Sequence, residues 1–399
     1  MKILWAKTDF LHPTTRGGQI RTLEMLRRLA RRHEIHYAAF LSGEDADAES
    51  LERSPEYCAR AYPVAHRLAA KLTARFAAEA AANVFASLPL AVARYRNQAM
   101  RRLLTELAAA HRFDALVCDF IAAGVNIEDL SRWVIFQHNV ETMIWRRHAE
   151  TAADPLRRYY FRQQARRMFD YEGSLCRRAR HVVAVSETDA RLLERTFGLE
   201  RVSWVPTGVD VEHFARPAAA GQAGGLVFVG SMDWMANIDG VKWFVSEVLP
   251  LIRRRKPDCT LALVGRNPAP SVRKLAEQDS RIQVPGTVPD VRPYLWGSAV
   301  SIVPLRIGSG TRLKIYEAMA AGTAVVSTPV GAEGLPLTHG ENVLLAETAQ
   351  DFADCCVELL DDPCKRARIA QQALALVRSR FSWETAAREF ENILAAARL

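Results

Sequence analysis

The chain has 399 residues, 49% hydrophobic and 25% charged, with 53 Lys and Arg against 45 Asp and Glu. That is a soluble globular composition, long enough for two domains with their own cores, and no run approaches the roughly 18 apolar residues that a membrane span needs. Seven cysteines, at 58, 118, 176, 259, 355, 356 and 364, follow neither metal-ligand spacing nor a disulfide framework. They suit a reducing cytoplasm and read as core fillers, with Cys118 and Cys259 inside strands. The opening run Met1–Lys7 is too short for a signal peptide and predicts a buried first strand, so export is not expected.

Short apolar runs at 2–7, 34–41, 114–119, 132–137, 181–186 and 201–206 alternate with helix-like segments, the pattern of a parallel sheet with crossover helices. In open parallel sheets ligands bind beyond the carboxyl ends of the strands, so the residues that follow each run are the candidates. After the first run, Gly17 and Gly18 open a helix where a pyrophosphate could approach the backbone, with Arg21 one turn in; a plain loop-to-helix turn would use the same residues. Asp119 ends a run as either a helix cap or an acceptor-side carboxylate. Gln137-His138-Asn139-Val140-Glu141 is a polar cluster directly at a strand end. An imidazole there could hydrogen-bond a ligand hydroxyl or shuttle a proton, the alternative being a satisfied structural histidine. Glu141 either caps the next helix or orients His138.

Charge is uneven: residues 1–200 carry 31 Lys and Arg against 24 Asp and Glu, and residues 201–399 carry 22 against 21. Much of the basic excess lies in two helical stretches, Arg94 to Arg112 and Arg157 to Arg167, the second interleaved with Tyr159, Tyr160 and Phe161. These N-terminal basic helices would suit an anionic membrane surface or a phosphorylated headgroup; an ordinary amphipathic helix is the alternative. No recognition motif accompanies the charge, so nucleic acid is not an expected partner.

A Pro/Gly/Ala stretch from Arg216 to Gly225 interrupts the pattern, which restarts at 226–230, 260–264, 281–284, 299–303, 324–327 and 342–346. The expectation is two doubly wound domains, 1–206 and 207–380, with a terminal helix over 381–399 capped by Ser382. The richest segment is Gly308-Ser309-Gly310-Thr311-Arg312-Leu313-Lys314, followed by Glu317 and a helix-to-strand transition ending at Gly331. Backbone N–H groups at this turn and helix start would face an anion. Arg312 can grip phosphate oxygens bidentately, Lys314 adds a mobile point charge, and Glu317 could accept hydrogen bonds from ribose hydroxyls. Two cations in a first helical turn oppose the helix dipole, which favours an anionic ligand over a solvated basic turn.

This segment resembles the C-terminal signature of family 4 glycosyltransferases, retaining enzymes, in the branch reading Gly-Ser-Gly-Thr-Arg-Leu-Lys before Glu-Ala-Met-Ala. The resemblance implies an α/β GT-B fold: two Rossmann-like doubly wound domains facing an interdomain cleft, with a C-terminal helix crossing back to the first domain. It implies transfer of a sugar from a nucleoside diphosphate sugar, held chiefly by the second domain, to a glycan or lipid-linked acceptor hydroxyl on the first. The implied donor set is Gly17, Gly18, Gly230, Ser231, Gly265, Val288, Ser309, Gly310, Thr311, Arg312, Lys314 and Glu317, with the base met through backbone groups near Gly265 and Val288. His138 corresponds to the family's strand-end histidine, and His138, Arg312 and Lys314 form the implied catalytic set; Arg21, Asp119 and Glu141 fall on the acceptor side. Two departures stand out. The family's paired glutamates place the first at Ser309 and the second at Glu317, so the sugar-contacting carboxylate is absent; and the Arg and Lys that many members carry after Gly230 are missing, their charge falling to Arg312 and Lys314.

With no metal-spaced Asp/His cluster the expected activity needs no metal or cofactor, and with no carboxylate pair a front-side attack assisted by the leaving phosphate is favoured over double displacement. The leading expectation is envelope or extracellular polysaccharide assembly by a cytoplasmic protein, peripheral on the inner face of the membrane. A non-catalytic nucleotide-sugar-binding protein, a membrane-surface scaffold, and an epimerase-like or phosphorylase enzyme are the alternatives.

Overall fold

The computed structural model describes residues 1–14, 17–43, 46–70, 73–110, 112–152, 154–218, 224–307 and 313–397. It divides into two compact units, Met1–Thr207 with Ala386–Leu399, and Gly208–Thr385.

Seven strands form the sheet of the first unit: β1 (Lys2–Ala6), β2 (Glu34–Leu41), β3 (Arg60–Ala65), β4 (Ala115–Asp119), β5 (Trp133–Phe136), β6 (His181–Ala184) and β7 (Val202–Trp204). They lie in the order β3-β2-β1-β4-β5-β6-β7, all parallel, with Ile3 in register with Ile35 on one side and Ala115 on the other. The second unit repeats the winding with β8 (Leu226–Val229), β9 (Leu261–Val264), β10 (Ile282–Gly286), β11 (Val300–Val303), β12 (Ala324–Ser327) and β13 (Leu344–Leu345), ordered β10-β9-β8-β11-β12-β13. Helices cover both faces of each sheet, so central strands such as Ala115–Asp119 and Trp133–Phe136 are buried along their whole length and read as unbroken apolar runs.

β3 has no counterpart among the predicted runs. It is an edge strand, Arg60-Ala-Tyr-Pro-Val-Ala65, mostly exposed or half-buried, and Pro63 is tolerated because an edge has one unpaired side; neither a continuous nor an alternating apolar signal marks it. Two cysteine expectations also give way. Cys259 precedes β9 instead of lying within it, and Cys364 is exposed, not a core filler, although Cys58, Cys118, Cys176 and Cys356 are buried free thiols. Among the described residues no helix is long and apolar enough to cross a membrane.

The last helix, Trp383–Ala396, starts at Ser382, whose hydroxyl accepts from the Thr385 amide at 3.1 Å. Its later part belongs to the first unit. Phe390 packs against Trp5 and Phe136 with ring centroids 5.5 and 4.9 Å apart, and Glu391 pairs with Arg32 at 2.6 Å and His33 at 2.9 Å. All three aromatic rings are sealed from solvent. Phe390→Ala is expected to destabilise the first unit by about 3–5 kcal/mol through the cavity left between Trp5 and Phe136, read as a lowered urea midpoint for that unit's transition.

Candidate functional site

In the first unit, strand order reverses at β1, which is flanked by β2 and β4, and such a reversal opens a crevice at the carboxyl ends of the strands. Lys7 follows β1, Asp119 ends β4 and His138 lies two residues past β5. All three are at least 97% buried. Asp119 Oδ2 accepts from Trp5 Nε1 at 3.0 Å and from the Thr22 hydroxyl at 2.6 Å, and lies 3.1 Å from Lys7 Nζ. Its other oxygen is 2.7 Å from His138 Nε2. Burial alone would raise the Asp119 carboxyl, but Lys7, His138 and Thr22 together hold it well below the usual carboxylate range. Burial, reinforced by Arg21 and Lys7 against the opposing pull of Asp119, lowers His138 to about 3, so the imidazole is neutral near pH 7.

Aromatic rings clamp this histidine. Phe120 stacks on it at 4.0 Å and 26°, Phe136 lies 4.6 Å away, and Lys7 Nζ sits 4.3 Å over the Phe120 ring. Phe120 has a φ of 68°, costly for an aromatic residue and characteristic of functional sites. Gly18 completes the wall: a Cβ there would lie 2.9 Å from Phe120 Cζ and 3.8 Å from His138 Nδ1. Gly17 begins the helix Gly17–Leu29. The structure thus brings Gly18, Asp119 and His138 together.

Other sequence readings change. Asp119 serves His138, Lys7, Trp5 and Thr22, not the start of a helix. Arg21 is turned into the core, its guanidinium donating to the Thr207 hydroxyl, and burial brings it down to about 10; it is no surface contact for an acceptor. The helix Glu141–Thr151 is capped by Glu172, reaching across from the helix Pro155–Arg178. Glu172 accepts from the amides of Glu141 and Thr142 at 3.0 and 2.8 Å, from the Thr142 hydroxyl at 2.5 Å, and from Gln137 Nε2 at 3.2 Å. The Glu141 side chain instead hydrogen-bonds Asn139, and burial, then repulsion from Glu172, push it up to about 7. Lys7, Gly18, Phe120 and Glu141 line one side of a cavity of ≈ 940 Å³ that continues past Phe40 and Tyr95.

The second unit presents a different surface. Neighbouring strands β8, β9 and β10 all reach glycine at their carboxyl ends, Gly230, Gly265 and Gly286. A Cβ on Gly265 would lie 1.8 Å from the Gly230 carbonyl oxygen, and one on Gly230 would lie 3.0 Å from both Asn237 Nδ2 and Lys314 Nζ. The result is a shelf of bare backbone. Lys314, from the helix Leu313–Ala320, brings its ammonium to this shelf, donating to Asn237 Oδ1 at 2.7 Å and lying 4.5 Å over the Phe228 ring. Ser231 ties the loops together, its hydroxyl accepting from Arg266 Nε at 3.2 Å and its carbonyl from Asn237 Nδ2 at 2.7 Å. Glu317, one turn beyond Lys314, is half-buried; burial, only partly offset by Lys314, pushes its carboxyl up to about 7. Val288 is half-buried against the core around Val264 and Leu295. Ser309, Gly310, Thr311 and Arg312 lie outside the described residues.

Lys7, Phe120, Glu172 and Asn237 are absent from the sequence-predicted set. Lys7 left a signal in its position directly after the first strand, where ligands of open parallel sheets lie.

The duplicated winding, with candidate groups at the carboxyl ends of both sheets, defines a GT-B fold. The family model described as Glycosyltransferase Family 4 matches residues 15–213, and that described as Glycosyl transferases group 1 matches 223–362. The chain belongs to the family 4 glycosyltransferases. It is 29% identical over 241 residues to a D-inositol 3-phosphate glycosyltransferase of Pseudarthrobacter chlorophenolicus, covering 55% of this chain and 56% of that protein. Its fold is similar to that of sucrose-phosphate synthase from Thermosynechococcus elongatus, with a TM-score of 0.72, 18% identity and 98% of each chain covered. It is also similar to Anabaena HepE in complex with UDP and glucose, with a TM-score of 0.68, 15% identity, and 99% of this chain and 100% of that one covered. The chain spans about half the length of the curated relatives it matches.

Two outcomes follow from the second unit. Gly265→Ala is expected to destabilise it by more than the roughly 1–3 kcal/mol of ordinary overpacking, because the new Cβ meets rigid backbone; urea unfolding measures this. Glu317 has its folded pKa raised from 4.5 to about 7, so the folded state holds an extra proton within that window and the stability so gained disappears as pH rises through it. Glu317→Gln should therefore match wild type in Tm at about pH 4 and exceed it at about pH 8.

Proposed function

We propose that this chain is a retaining glycosyltransferase that moves a sugar from a nucleoside diphosphate sugar to an acceptor hydroxyl during assembly of an envelope or extracellular glycan or glycolipid. The observation that carries this reading is the second unit's glycine shelf with Lys314 held at its edge and a half-buried carboxylate, Glu317, one turn on. Bare backbone lets a flat, charged ligand approach closely, the ammonium answers a phosphate, and the carboxylate answers ribose hydroxyls. The complex of HepE with UDP and glucose supports a nucleotide sugar as donor.

Transfer needs cleavage of the anomeric C–O bond through an oxocarbenium-like state while negative charge gathers on the departing diphosphate. Lys314, joined by Arg312 of the same sequence motif, would neutralise that charge electrostatically, a contribution of several kcal/mol per well-placed donor in comparable sites. These cations would do so without a metal ion or other cofactor. The acceptor hydroxyl attacks from the face the leaving group vacates, a leaving phosphate oxygen takes its proton, and the configuration is retained. The first unit's cavity, polar at Asp9, Asp47 and Arg67 and apolar at Phe40, Val92 and Met168, would hold an acceptor bearing both hydroxyls and an apolar portion.

A membrane surface would supply such an acceptor. Leu156 and Tyr159 are 80% and 69% exposed on the arginine-rich helix Pro155–Arg178, and Phe85 is 94% exposed. Phe85 adjoins Val84, whose carbonyl accepts from Gln163 and Arg167 of that helix. Apolar side chains among cations suit an anionic lipid surface on the cytoplasmic face.

In a thermal-shift panel of UDP, GDP, ADP and CMP in EDTA, one diphosphate should raise the Tm saturably, and Lys314→Ala should abolish the rise. For the responding nucleotide, calorimetry near pH 7 in buffers of different ionisation enthalpy should detect proton release, since hydroxyls donating to Glu317 favour its charged form. No shift with any nucleotide in folded protein would remove the donor assignment.

A further inference from the structure

We propose that Lys7 and Asp119 are positioning residues that fix His138 as its neutral Nε2–H tautomer, so that Nδ1 is a bare acceptor beneath Gly18 for a hydroxyl of the substrate. For the identity of that hydroxyl this rests on the reading of the chain as a sugar transferase; the tautomer itself does not.

The argument begins at a 2.7 Å contact between His138 Nε2 and Asp119 Oδ1. An unprotonated Nε2 would set its lone pair against a carboxylate oxygen at that distance, so the proton belongs on Nε2. Lys7, enclosed with Asp119 at 3.1 Å, keeps the carboxylate ionised. A neutral imidazole carries a single ring proton, and with that proton on Nε2, Nδ1 has only a lone pair. Nδ1 is buried and has no protein partner among the described residues. Buried polar atoms in native proteins are nearly always satisfied, and an exception calls for an explanation such as a missing ligand or water. The atom lies 3.8 Å from the point a Gly18 Cβ would occupy, and Gly18 and Phe120, which flank it, both line the cavity of the first unit. The stack with Phe120 and the packing of Phe136 prevent the ring from turning away.

The same contacts predict what Asp119→Asn does. Trp5, Thr22 and Lys7 all present donors to Oδ2, so the amide oxygen stays on their side and the amide NH2 faces His138 Nε2. Nε2 must then accept, the ring proton moves to Nδ1, and the acceptor beneath Gly18 becomes a donor.

The test is ¹⁵N NMR of histidine-labelled full-length protein at about pH 7, with His138→Gln identifying the signals. Wild type should show a neutral ring protonated on Nε2, and Asp119→Asn a neutral ring protonated on Nδ1. Turnover of UDP-glucose, where wild type shows it, should fall about tenfold or more in kcat/KM in the variant, the factor expected from one hydrogen bond. An imidazolium or an Nδ1–H ring in wild type overturns the proposal without any variant having to fold. An unchanged tautomer in folded Asp119→Asn overturns the role of Asp119. A switched tautomer with undiminished turnover removes the substrate contact, while absent nucleotide binding with the expected spectra would fault the transferase reading alone.

Discussion

A carboxylate shut away from water at the end of a strand cannot stand alone, and the first unit is arranged around meeting that requirement. Asp119 draws donors from β1 through Trp5, from the residue after it, Lys7, from the next helix through Thr22, and the imidazole that follows β5. Removing one partner would leave an uncompensated buried charge, which costs far more than an exposed ion pair contributes. The constraint fixes three strand ends relative to one another at the point where strand order reverses. Phe120 takes its left-handed backbone immediately after the carboxylate, and its ring fills the space between Lys7, His138 and Gly18.

The second unit reaches a similar topological position by the opposite means. Where the first unit crowds side chains around a charge, the second withdraws them: three adjacent strands end in glycine, and the backbone itself becomes the surface. Lys314 comes from a helix much later in the chain to a place beside Gly230. Its ring contact with Phe228 and its bond to Asn237 hold it there. One topology therefore offers two chemistries, an enclosed neutral imidazole and an open cationic shelf.

Legibility in the sequence tracked how local each signal was. Central strands such as β4 and β5 announce themselves because both faces are buried and the apolar run is continuous. β3 does not, since its pairing comes from β2 and its side chains face solvent. His138, Gly18 and Glu317 were found because they sit at run ends or in a dense motif. Lys7 was missed as a partner because a lysine ending a strand ordinarily reads as a solvated stop, and nothing linear connects it with Asp119. Glu172 was missed for a related reason: it caps a helix that begins thirty-one positions earlier, beyond any capping pattern that can be read from neighbouring residues. Arg21 shows the converse error, a cation placed at a ligand by spacing that the fold turns inward to Thr207.

The contribution of Phe390 to the ring cluster with Trp5 and Phe136 has a consequence for synthesis. The first unit is built from two stretches of chain, and the later one, from Ala386 on, emerges only after the whole second unit has been translated. Until then Trp5 and Phe136 lack the ring that covers them, so all seven strands of the first sheet are made well before this apolar surface can be closed. During that interval the chain carries exposed aromatic surface, the kind that drives aggregation unless it is shielded.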